Sequence, residues 1–425
     1  MTNNYLDHVV AVWLGVILCF SNAAYSLPYG SPDSRSAAMG KTGVAMPGST
    51  NAAYFNPALL AVYPVRKHLG NNQRIAIPTV VGYISDNTLE LGKIEDADYD
   101  QQLSSGITEF NTSGDPDNLI DSLESLSDDL RDTSSEPLYT DGFANLIVSI
   151  PDRHEGGAFY FSSRGVVDGR LDYTTSDQSL ITAYLEELNF INSGGTPATL
   201  HPELYSGGQL LDSVESFTSS VDAVALVIDE LGTSMGWLVS WWDTEMMVGV
   251  TPKVIHITSY EFTADATGTH LTQSTKYDND IKLNVDLGWA KQLNERLLLG
   301  LGIRNLLPQE YRTRSGRTIK LRPQMRAGAS YQSEWGYYTV DLDLLNNDPI
   351  SNGDSTQELG VGGEWSVGHQ AIRAGLVKNF KGSGANASPL FTLGVRFNLG
   401  RFYTDLSYGD GSNQRSAAFQ LGLQF

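Results

Sequence analysis

The chain has 425 residues, 18% of them charged, with 49 Asp and Glu against 28 Lys and Arg and a formal net charge of −21. No cluster of Lys and Arg offers a phosphate-binding face, which excludes nucleic acid as a partner. The low charged fraction, with 42 Gly and 20 Tyr, departs from soluble domains toward sheets with many turns and aromatic girdles.

In chain order, an apolar run from Val9 to Phe20 leads to an Ala24-x-Ser26 pattern before Leu27. It predicts a secretory signal over residues 1–26, although no Lys or Arg precedes the run. The run is too short to cross ~30 Å of hydrocarbon as a helix. The single cysteine, Cys19, lies within it, so the mature chain has no thiol catalysis, disulfide or cysteine metal site.

Residues 27–74 hold the stretch RSAAMGKTGVAMPGSTNAAYFNPALLA, residues 35–61, which has neither a helical nor a strand period. Its small residues let backbone pass close to a wall. Gly40, Gly43 and Gly48 permit tight bends, and Asn56, Pro57 and Ala58 form a stiff exit. Such a segment builds no core of its own, so it is expected to sit as a hatch inside something larger.

Period-two alternation supplies the larger body. It is plainest in Phe391/Leu393/Val395/Phe397 and Ala417/Phe419/Leu421/Leu423/Phe425. Strands are predicted near 75–84, 143–151, 157–173, 234–242, 246–262, 275–291, 297–306, 318–332, 335–344, 355–366, 370–378, 389–398, 401–409 and 414–425. Short connections at Asn294-Glu295, Ser333-Glu334, Gly368-His369 and Gly400 alternate with long ones near 263–274, 308–317, 345–355 and 379–388. A soluble sandwich would join its strands alike at both ends. The asymmetry predicts an all-β fold: one antiparallel outer-membrane barrel of about 14 strands over residues 75–425, its short turns periplasmic. The terminal aromatic, Phe425, is the expected assembly signal, and the outer-membrane assembly machinery and outer-membrane lipid are the expected partners.

Two long connections, 85–142 and 174–233, are expected to be extracellular and helical. The first carries Leu119, Ile120, Leu123, Leu126 and Leu130 at helical spacing after Asp115-Pro116. The second carries Leu180, Ile181, Tyr184, Leu185 and Leu188, then Val214, Phe217, Val221, Val224, Ile228 and Leu231 at alternating threes and fours. These helices either pack on each other as a lid or line an access groove for a greasy ligand. Asp128-Asp129 lacks a calcium-loop spacing and reads as solvated surface.

The inward face of the predicted strands carries Lys282, Arg304, Arg326, Arg373 and Arg396 against Asp286, Asp341, Asp343, Glu364 and Asp405. Buried charges are costly unless paired. The balanced set therefore predicts cross-barrel pairs and contacts to the hatch, not a single-sign ion filter.

The order small-Gly, Gly-x-Ala and Asn-Pro-Ala-Leu in residues 35–61 resembles the hatch of the FadL-type long-chain fatty-acid transporters. The fuller run LPYG…RSAAMG…GVA…NPALLA is similar to the outer-membrane TraF family of the plasmid-transfer operon. The resemblance implies a plugged channel for small hydrophobic or amphipathic molecules, or else a non-transporting surface protein linked to conjugation or adhesion. There is no Cys-x-x-C pair, so no redox role follows. His68, His154, His201, His256, His270 and His369 stand without a nucleophile motif, so neither catalysis nor a metal or cofactor is expected.

Overall fold

The structure is a computed structural model. It describes residues 27–46, 50, 52–61, 74–135, 137–152, 154–213, 216–241, 244–265, 271–277, 281–313, 316–350, 354–368, 370–382 and 387–424. The predicted signal, Gly48 and Phe425 lie outside the described residues.

Alternation of unlike faces produces a closed wall of 14 antiparallel strands. They are β1 (Arg74–Ser85), β2 (Leu138–Ile150), β3 (Glu155–Asp172), β4 (Ser220–Trp241), β5 (Thr244–Asp265), β6 (Lys282–Gln292) and β7 (Leu297–Arg304). The series continues with β8 (Gln324–Gln332), β9 (Gly336–Asp343), β10 (Glu358–Val367), β11 (Gln370–Asn379), β12 (Leu390–Leu399), β13 (Phe402–Asp410) and β14 (Gln414–Gln424). β14 closes onto β1 from Arg74↔Gln424 to Ser85↔Gln414. Closure pairs each of these 14 strands on both sides, as hydrocarbon, which penalises an open edge, requires.

Phe391, Leu393, Leu406, Phe419 and Leu421 point outward and are exposed, while Thr392, Asp405 and Gln420 on the same strands are buried inside. An apolar band of that extent suits lipid and not water. No helix among the described residues is long and apolar enough to cross a membrane.

Four helices cover the rim with the long connections: α3 (Asp86–Ala97), α4 (Tyr99–Ser113), α5 (Asp117–Ser134) and α6 (Thr175–Asn192). Two shorter helices, α1 (Ser34–Ala38) and α2 (Ala52–Phe55), precede β1. Leu103, Phe110, Leu119, Leu123, Leu126, Leu130, Ile181, Tyr184 and Leu188 form one buried cap core. The helical faces thus pack on one another instead of lining an open groove. Asp129 accepts from the Tyr99 hydroxyl, and Asp128 pairs with Arg131 in solvent.

Several sequence boundaries need correction. Residues 220–231, read as helix, are the first half of β4, so the long connections span 86–137 and 173–219. Val221 packs into the cap core, whereas Val224, Leu226 and Ile228 join an apolar cluster inside the wall. A strand apolar on both faces loses its period of two and imitates a buried helix. The predicted strand 275–291 is two pieces: Leu271–Tyr277 pairs with the far half of β5, and β6 pairs with the near half. The predicted strand 318–332 is also divided. Thr318–Leu321 pairs with Gln309–Arg312 in a separate hairpin, and the wall strand starts at Gln324. That hairpin turns inward: Tyr311, Ile319 and Leu321 are buried against Ile255, Ile257 and Leu27.

Candidate functional site in the barrel lumen

The described residues of the segment, 27–46, 50 and 52–61, lie within the ring of strands. Asp33 starts α1 by accepting the Ser36 amide at 2.7 Å. The chain then turns at Gly40 and Lys41, both with positive φ (66° and 60°). After α2 it leaves through a tight 3-10 turn, Pro57–Ala61.

Glycines on the inner wall make room for it. A Cβ on Gly375 would lie 2.2 Å from the Gly40 nitrogen, and one on Gly288 would lie 2.2 Å from Asn56 Oδ1. Gly249, Gly300, Gly360 and Gly362 are equally close to the segment's backbone. The Gly-rich strand pieces are therefore its docking surface, and a glycine recurring at inward parity on successive strands was the sequence signal for it.

Asn56 holds the exit on three sides. Its Nδ2 donates to the Val44 carbonyl at 2.8 Å and to the Trp289 carbonyl of β6 at 2.9 Å, and its Oδ1 accepts from the Ala58 amide at 3.1 Å. The Gly43 and Val44 amides both donate to Asp341 Oδ2, at 2.7 and 2.9 Å.

The charges form linked pairs. Arg35 grips Glu364 with two bonds of 2.8 Å; Glu364 also pairs with Arg373, and Arg373 and Arg396 share Asp405. Lys41 pairs with Glu358 at 2.7 Å, and Arg326 joins Glu358 (3.1 Å) to Asp343 (2.6 Å) while donating to the Lys41 carbonyl. Lys253 bridges Glu230 and Asp286 at 3.1 and 3.0 Å, and Arg304 meets Glu230 at 2.8 Å. Arg164 takes both oxygens of Asp141 and donates to the Pro28 carbonyl. Arg304 and Arg326 also lie over the rings of Tyr54 and Tyr29 at 3.6 and 4.5 Å.

Lys282 shares the inward parity of Asn284 and Asp286. Near the start of its strand it meets the inward hairpin, donating to the Glu310 carbonyl and covering the Tyr311 ring at 3.8 Å. Arg35, Lys41, Asp141, Arg164, Glu230, Lys253 and Glu358 were not foreseen. Arg35 and Lys41 were nevertheless visible as the only cations in residues 27–61.

Between segment, wall and long connections is a partly open cavity of about 60 Å³. Its lining includes Leu27, Tyr83, Tyr139, Val166, Ile350 and Leu390 with Lys41, Asp168, Asp354 and Glu358. It has room for a few waters or one small polar head. No cluster of metal-ligating side chains is present among the described residues.

A profile of the family described as "F plasmid transfer operon, TraF, protein" matches residues 53–344. No curated protein matches the chain. Among solved structures, the toluene transporter TbuX of Ralstonia pickettii aligns at 12% identity with a TM-score of 0.51, covering 93% of this chain and 98% of its own. A FadL homologue of Pseudomonas aeruginosa aligns at 11% identity with a TM-score of 0.48, covering 94% and 99%. At such identity the likeness to TbuX is one of fold: a FadL-like barrel.

Proposed function

The chain belongs to the family of the F plasmid transfer operon TraF protein, and from that premise we propose that it is a plugged outer-membrane channel admitting small hydrophobic or amphipathic molecules. Residues 27–61 serve as its hatch, and the long connections face outward. The observation that carries this reading is the lumen itself. Its wall is polar and would be wet, yet it is filled by a segment fastened through side-chain ion pairs and single hydrogen bonds instead of a sheet ladder. Such contacts exchange with water when the segment shifts, whereas strand pairing would not release it. The apolar outer band and the fold shared with a toluene transporter support the same reading.

A second reading is favoured by the family description, which names a plasmid-transfer operon. It makes the chain a non-transporting surface protein whose cap binds a partner in conjugation or adhesion. Uptake of radiolabelled toluene and of labelled alkanes by a strain lacking the gene separates the two. Reduced uptake restored by the intact gene supports the channel; unchanged uptake with lost mating or attachment supports the second reading.

A further inference from the structure

Building on the channel reading, we propose that the inward hairpin, Gln309–Arg312 with Thr318–Leu321, is a lid inside the lumen, and that the apolar surface beneath it receives the uncharged body of the ligand. The two strands pair with each other in a sheet of their own, and neither joins the ladder of the wall. Their connection leaves β7 at Asn305, a position of positive φ (55°), and returns to β8 through Pro323. Side chains fasten it to the wall. Asn284 donates to the Leu307 carbonyl at 2.9 Å and accepts its amide at 3.1 Å, Lys282 donates to the Glu310 carbonyl at 2.7 Å, and Arg317 meets Asp222 of β4 at 2.9 Å, both side chains partly exposed. Bonds of this kind exchange with water as the hairpin shifts.

The buried face of the hairpin is apolar: Tyr311, Ile319 and Leu321 share one cluster with inward side chains of β4 and β5, among them Leu226, Ile228 and Ile257. Lifting the hairpin in water would expose both apolar faces at once, whereas an apolar molecule entering the gap covers them. The open state is therefore stabilised by the ligand and not by water or ions. An ionised group buried among these side chains would find no counter-charge from them, so the body that enters is uncharged. Leu27 and Val166 belong to the cluster and also line the cavity beside Lys41, which gives a polar end of the same molecule a place outside the apolar surface. Leu27 further links lid to hatch, because Gln324, the first residue of β8, donates to its carbonyl.

The test uses the full chain in a strain lacking the gene. Its single cysteine, Cys19, falls in the predicted signal, so Asp222→Cys with Arg317→Cys introduces one pair of thiols across the lid. A cleavable bismaleimide joins them, and uptake of radiolabelled toluene is followed before joining, after it and after cleavage. Joining should slow uptake about tenfold, cleavage should restore it, and each single-cysteine chain should be unaffected by the reagent. In a second measurement, which requires no variant to fold, the unaltered chain is irradiated with an uncharged alkyl diazirine with and without excess toluene. The labels that the excess removes should fall within residues 224–228, 255–257, 309–312 or 318–321. Unslowed uptake through the joined chain, or no competed label in those residues, overturns the lid while leaving the channel reading intact. Absence of toluene uptake by the unaltered chain overturns both.

Discussion

Asn56 and Gly375 represent two ways a single residue places the segment against the wall. Asn56→Ala removes the bonds to the Val44 and Trp289 carbonyls and to the Ala58 amide. Each such loss costs roughly 1 to 3 kcal/mol, while the ladder that pairs Trp289 with the strands on either side remains. The expected outcome is an assembled barrel with a lower unfolding temperature and a small leak of sugars from proteoliposomes; unchanged stability and tightness would count against the three-sided anchor. Gly375→Ala acts by space: its Cβ must displace Gly40, so the same assay should register a leak. Gly82→Ala on β1, which meets nothing within 4 Å, should register none. Equal behaviour of the two alanine variants would show that the close approach is without consequence.

At the scale of elements, the segment and the wall contribute unequally. Deleting residues 35–56 removes Arg35 and Lys41, but Glu364 keeps Arg373 and Glu358 keeps Arg326; Asp341 loses the Gly43 and Val44 amides and must be hydrated by the water that enters. Strand pairing is untouched. The deletion should therefore yield a folded barrel that passes small sugars where the intact protein does not, since 14 strands enclose a bore wide enough for water. Equal tightness of the two in a liposome-swelling assay would remove residues 35–56 as the plug.

The cap element after α6 is fastened differently. Burial alone would raise the Glu187 pKa, but amides of His201, Leu200, Ala198 and Thr199 donate to its carboxylate and hold it below the usual value. His201 bonds to Glu186 and Glu203, which raises its pKa above 6.5. The sign follows: this contribution is complete below pH 6.5 and is lost as pH rises through the higher folded value. For Glu203, lowered by its bond to His201, stability is present above 4.5 and is lost as pH falls through the lowered value. An imidazole titration by NMR with a midpoint at or below 6.5 for His201 would refute this clamp.

The whole molecule depends on closure. β1 pairs with β2 on one side and with β14 on the other, the last pair being Arg74↔Gln424. Removing Phe425, or giving that position a charge, should leave the chain unassembled in the periplasm, because an open edge in lipid exposes unsatisfied backbone groups. Normal heat-modifiable migration of the Phe425 deletion on a gel is the contrary result. Closure also decides the ion pairs: Arg35 reaches Glu364, and Lys41 reaches Glu358, only once the far strands have come round.

The sequence by itself determined what short-range periodicity can encode. From β7 onward each strand has unlike faces, so parity alone separates Leu393 and Phe419, which are exposed, from Thr392 and Gln420, which are buried. The apolar stripes of α5 and α6 were readable for the same reason. β4 was not, because its rim half is apolar on both faces and carries two periods at once. Lys282 shows the other limit: parity reports a face but neither height along the barrel nor the neighbour waiting there. Height and partner follow from register and closure, which join residues hundreds of positions apart. Only the tertiary structure decided which charges meet, that the wall glycines receive the segment, and that the hairpin at 309–321 folds inward.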